Sequence, residues 1–281
     1  MRYLAEKIQS VKGKHDLKII RIFTDKEYEN LILSQEIFEF HEFNKKTKEM
    51  VKKNGMELEN FIEDYRNKKA NEDDETKALW EANRLLLNFL ASFSSYVDQS
   101  KKNIGKFYGE EKRKSWEALL STFYDDHENF EYRFMSKLRN FISHYGFPLN
   151  YYIENDQGAF ILMSKSNLLT FKDGWAKVKK DIEQIDQEYI NIVPMVKKHR
   201  GNVDAIYLLL MVEYGEKLTK AIGSVNKIYK EVQSDFLLIE VEKEEDLKDP
   251  SKMSPESFSL ETMYEALQDL KKHPSINIKV N

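Results

Sequence analysis

Apolar residues recur three and four positions apart through most of this chain, and that spacing constrains its fold more than any other feature. Leu79, Trp80, Leu86, Leu87 and Leu90 mark one such stripe, with Asn83 among them, and Phe134, Leu138, Phe141 and Tyr145 mark another. Each stripe lines up on one side of an α-helix and calls for burial. Ten glycines and five prolines in 281 residues are too few for a turn-rich β fold. Hydrophobic residues make up 41% of the chain, enough for a sizeable core. The expected class is mainly α, a helical bundle with one β-hairpin inserted.

The spacing divides the chain into parts. Residues 1–75 read as an N-terminal, mainly helical region that includes a short strand at 17–23, followed by Thr24 or Asp25 as a helix cap. A helix from Lys26 to about Val51 is expected to break at Asn54-Gly55, and 66–75 reads as a loop. Residues 76–235 form the main bundle, with helices at 76–98, 116–123 and 129–145 and beyond. The lysine-rich stretch 101–114 is expected to be a solvated loop. After Pro148 the period shortens. Leu149–Ile153 and Ala159–Met163 bracket Asn155-Asp156-Gln157-Gly158, which places the hairpin at 149–164. Helical spacing returns at 174–198, where Pro194 is expected to kink the chain, and again at 202–232. Residues 236–281 read as a strand and helix extension with a loose tail.

Several function classes drop out. With no cysteine there is no disulfide, thiol nucleophile or thiolate metal site. No apolar run approaches the roughly 20 residues of a membrane span, so the cytoplasm is the expected location and a membrane is not an expected partner. The net charge of −4 is not that of a protein that binds nucleic acid over its whole surface, so any phosphate contact must be local. No Gly-rich phosphate loop, Gly-x-Ser-x-Gly elbow or His-Glu-x-x-His pair is present. Asp125-Asp126-His127-Glu128 holds possible ligands, but consecutive helical residues point in different directions. His41, flanked by Glu39 and Glu42, reads as part of a solvated face. No metal or cofactor is expected.

The stretch Leu138-Arg139-Asn140-Phe141-Ile142-Ser143-His144 ends a helix that Tyr145-Gly146-Phe147-Pro148 stops. It places a fixed cation and a titratable base near each other, the two groups that metal-free RNA cleavage needs. Arg139 and His144 lie about 140° apart around a helix and about 7.5 Å apart along it. They converge if the helix loosens at His144, or if two copies meet across a twofold axis; the second geometry is favoured. Arg133 and Lys137 add local positive charge and are candidate RNA contacts. The plain alternative is structural: a His that caps helix carbonyls and an Arg that pairs with a carboxylate.

The run Leu138–Pro148 resembles the Arg-polar-x3-His signature of the HEPN superfamily. The resemblance implies a helical, commonly dimeric bundle and a metal-independent endoribonuclease of the kind found in toxin and phage-defence systems. It assigns the catalytic roles to Arg139, Asn140 and His144, with RNA as substrate and a second copy of the chain as partner. The other expectation is a non-catalytic HEPN-like scaffold that binds a protein or nucleic acid.

Overall fold

The computed structural model of the chain describes residues 1–9, 15–66, 72–126, 128–171, 174–232, 236–258 and 260–276. It is mainly helical, with small antiparallel sheets. The chain divides into two compact units, one of residues 1–43 and 208–281 and the other of residues 44–207. These boundaries differ from those drawn on the sequence at 75 and 235. Two long helices, α1 (Asp25–Arg66) and α7 (Val193–Val232), contribute to both units.

The first unit is built on strands β1 (Arg2–Gln9), β2 (His15–Phe23), β6 (Phe236–Glu240) and β7 (Ser254–Phe258). They pair antiparallel in the order β2-β1-β6-β7. The sequence reading missed β1. Tyr3, Leu4 and Ala5 are all buried, so this part of β1 lacks the alternation that marks a one-sided strand. Tyr3, Ala5, Leu237, Ile239 and Val241 form one of its core clusters. Thr24 caps α1: its hydroxyl accepts from the Glu27 amide at 3.2 Å, and the Glu27 carboxylate accepts from the Thr24 amide at 2.9 Å. Helix α8 (Glu261–Lys272) buries Met263, Ala266 and Leu270. His41 is also buried here rather than solvated, bonded to the Tyr214 hydroxyl at 3.0 Å and the Asp269 carboxylate at 3.1 Å. It follows Phe38 by one helical turn and so shares that residue's inward side.

In the second unit α1 does not break at Gly55 but runs on to Arg66. A Cβ at Gly55 would lie 2.8 Å from Arg200 Cδ and 3.0 Å from a Phe89 ring carbon, so this glycine serves close helix packing. Helix α2 (Glu72–Tyr108) also outlasts its expected end, because its buried side continues through Ser100 and Ile104. The Ser100 hydroxyl accepts the indole N–H of Trp116 at 2.9 Å, which lets a polar residue sit in the stripe. The lysine-rich stretch is therefore helical. It ends α2 and begins α3 (Glu110–Asp125), and the two helices are divided by Gly109 at φ 86°. Pro194 makes no kink; it lies in the first turn of α7, where its missing N–H costs nothing.

Helix α4 (Phe130–His144) follows, then β3 (Leu149–Asn155) and β4 (Gly158–Ser164), which pair antiparallel. Two short helices, α5 (Lys165–Leu169) and α6 (Val178–Glu183), precede β5 (Tyr189–Ile190), which completes a sheet of order β3-β4-β5. The core joins Phe134, Phe141 and Trp175 in a stack with ring centroids 5.5 and 5.7 Å from the indole. The Asn83 side chain pins β3 by bonding both the amide (3.1 Å) and the carbonyl (2.7 Å) of Leu149.

His199 of α7 is fully buried against the rings of Phe89, Phe93 and Tyr132. Desolvation pushes its pKa down to about 3. The folded chain thus excludes a proton that the unfolded chain takes up near pH 6.5, and stability falls as pH drops below that value. Between pH 7 and pH 5 this one group removes about 2 kcal/mol. Urea denaturation at the two pH values should show His199→Leu losing less stability than the parent by that amount; equal losses would contradict it.

Candidate functional site

Burial of one side of α4 decides what its other side presents. Tyr132, Arg133, Phe134, Met135, Leu138 and Phe141 are buried. With these turned inward, Arg139 and His144 stand in solvent and Asn140 is half-buried. The helix remains regular through His144, and the Tyr145 amide bonds the Phe141 carbonyl at 2.8 Å. Loosening at His144 is thus absent, and Arg139 and His144 keep the wide angular separation of a regular helix. Asn140 and His144 share a side, one turn apart.

Arg139 lines a groove of about 380 Å³ formed by α2, α3 and α4. Asp98, Lys101, Glu117, Tyr124 and Tyr132 also line it. Lys101 is 3.5 Å from Asp98, and Glu117 is paired with Arg113, so these charges are already matched. Arg139 is not. Of the eight arginines, the other seven each engage a partner: Arg2, Arg21, Arg84, Arg113, Arg133 and Arg200 pair with carboxylates, and Arg66 bonds the Gln157 carbonyl. Among the described residues Arg139 has no hydrogen-bond or ion-pair partner for its guanidinium. The Asn140 amide and the His144 imidazole likewise have none. Of the four histidines whose side chains are described, His144 alone is exposed.

Arg133 is a correction. Its side chain is only 5% exposed, lies 3.1 Å from the Asp181 carboxylate and donates to the Asp126 carbonyl. It holds α4 to α6 and is not displayed for RNA. In the sequence it looks like one more cation beside Arg139, but it falls between Tyr132 and Phe134 on the inward side. Lys137 is half-buried, with its ammonium 5.8 Å from the Tyr124 ring centre. Glu131, the nearby acid, is paired with Lys198 at 2.8 Å. Of the Asp125–Glu128 run, His127 lies outside the described residues; Asp125 is 3.4 Å from Lys177.

The sequence reading also placed Tyr145 in the core stripe. It caps the helix instead and is 53% exposed, and Phe147 is 56% exposed. The stop signal at Gly146 and Pro148 already marked the point where the helical stripe had to end.

The two arginines should separate in stability. Arg133→Ala leaves the Asp181 carboxylate without its partner and should cost about 3 kcal/mol. Arg139→Ala touches no partner and should stay within about 0.5 kcal/mol of the parent. Chemical denaturation of the two variants checks this, and a large loss at Arg139 would mean a structural role.

Comparison with known proteins gives no counterpart: no family model, no curated protein and no solved structure matches the chain.

Proposed function

We propose that the chain is a HEPN-type, metal-independent endoribonuclease whose reacting groups are Arg139, Asn140 and His144. What supports this reading most is the isolation of Arg139, which has no partner among the described residues and stands on the same helix end as an exposed histidine. A protein with 48 acidic residues leaves few guanidinium groups unmatched. One that is unmatched, and aimed at a groove, suits an anionic ligand. In this reading α2, α3 and α4 belong to a HEPN-like bundle, with the β3–β4 hairpin inserted after the motif helix.

The chemistry follows from the side chains. The imidazole of His144 takes the proton from a ribose 2′-OH. The oxygen attacks the adjacent phosphorus, the bond to the 5′-oxygen breaks, and that oxygen takes up the proton given back by the imidazolium. The products are a 2′,3′-cyclic phosphate and a 5′-hydroxyl. The Arg139 guanidinium holds the phosphoryl oxygens as negative charge gathers on them. Asn140, one turn before His144, orients the imidazole or binds a phosphate oxygen. Because the nucleophile is internal to RNA, DNA is not a substrate.

A regular α4 keeps Arg139 and His144 from meeting at one atom, which favours a homodimer with each site composed from two chains. Among the described residues no helix is long and apolar enough to cross a membrane. A cytoplasmic setting, with cellular or invading RNA as the target, fits the reading.

Purified protein should cleave RNA in excess chelator and leave DNA intact. Arg139→Ala and His144→Ala should each lower the rate by about 100-fold or more, with melting temperatures unchanged. A requirement for added divalent ion, or full activity in His144→Ala, would overturn the assignment.

A further inference from the structure

We propose that Tyr145 and Phe147 are base-stacking positions, so that the substrate is unpaired RNA held by its bases beside the scissile phosphate. This rests on the reading of Arg139 and His144 as the RNA-cleaving groups. The two aromatics follow His144 by one and three residues, and each is more than half exposed. Single exposed rings are ordinary on a protein surface, and Trp80 is another in this chain; these two are distinguished by lying within three residues of His144.

The Tyr145 ring is held in place. Phe141 backs it at 5.4 Å between ring centres and Phe171 at 5.6 Å, which leaves the rest of the ring to solvent. The backbone around the pair is fixed at both ends. Before it, the amides of Tyr145 and Gly146 both bond the Phe141 carbonyl. After it, Pro148 and Leu149 are buried, and Asn83 grips Leu149 by its amide and carbonyl. The Tyr145 ring and the backbone that carries both residues are thus set before any ligand arrives, and little further ordering of these is needed on binding.

The chemistry beside them says what the ligand is. An apolar protein surface would bury the rings but would leave the guanidinium of Arg139 and the imidazole of His144 unmatched. A nucleotide offers a flat base for a ring and a phosphate for a cation, one after the other along a strand. Duplex RNA cannot use the rings, because its bases are already stacked on one another within the helix. Loops, bulges and single strands can.

The test is equilibrium binding of the full chain to a short unpaired RNA, to the same RNA as a duplex, and to a version carrying abasic positions. Tyr145→Ala and Phe147→Ala should each weaken binding to the unpaired RNA about 5- to 100-fold. Tyr145→Phe and Phe147→Tyr should restore it. The losses should vanish on the abasic RNA and on the duplex, and Tyr264→Ala, an exposed ring of the other unit, should change nothing. If Arg139→Ala weakens binding while the aromatic variants bind as the parent does, stacking is wrong and the nuclease reading stands. If the parent binds no RNA, both fail. If the aromatic variants fall apart into monomers in sedimentation, the rings are an interface between copies and the stacking role is overturned.

Discussion

The packing of α4 onto the Trp175 stack is the interaction from which the rest of the proposed site follows. Phe134 and Phe141 both stack on that indole, and Leu138, between them in the helix, is fully buried. Together they fix the rotation of the helix about its own axis. Once that rotation is set, Arg133 must point inward to Asp181 and Arg139 must point outward to the groove. Two arginines six residues apart then have opposite fates for one geometric reason. Removing Leu138, at about 2–5 kcal/mol for a buried leucine, would loosen the same constraint and blur both.

Electrostatics completes the contrast. The chain is rich in both signs of charge, and its arginines are consistently matched, in pairs such as Arg200–Glu59 at 2.8 Å and in the bridge of Arg21 to both Glu27 and Glu231. The second of these holds the Glu27 carboxyl down to about pKa 2. Against that background a guanidinium left open at a helix end, near an exposed imidazole and two exposed rings, is a departure from the chain's own habit. Unmatched charge next to fixed aromatic surface is the combination that a strand of phosphates and bases can satisfy.

The mainly helical class was legible because apolar spacing records it directly, as in Asn83, Leu86 and Leu90, which are buried; Trp80 and Leu87, read into the same stripe, are exposed instead. The ends of elements were less legible, for local reasons. Gly55 looked like a breaker because sequence does not show that Arg200 and Phe89 press against it. Ser100 looked like an exit from the core because its partner, the indole of Trp116, is 16 residues away. Strand β1 was invisible because Leu4, Tyr3 and Ala5 are buried on both sides. At the candidate site the residue types of Arg139, Asn140 and His144 could be read, but which cations are displayed could not. Arg133, Lys137 and Arg139 differ only in which way the helix turns them, and that depends on Trp175, more than thirty residues downstream.

The central claim is that the arginine of one chain works with the histidine of another. Mixing inactive Arg139→Ala protein with inactive His144→Ala protein tests it most directly. Random pairing makes half the dimers mixed, and each mixed dimer regains one intact composite site, so about a quarter of the parental RNA-cleaving activity should return. No recovery on mixing, with the unaltered protein active, would show that each chain works with its own pair and would contradict the account.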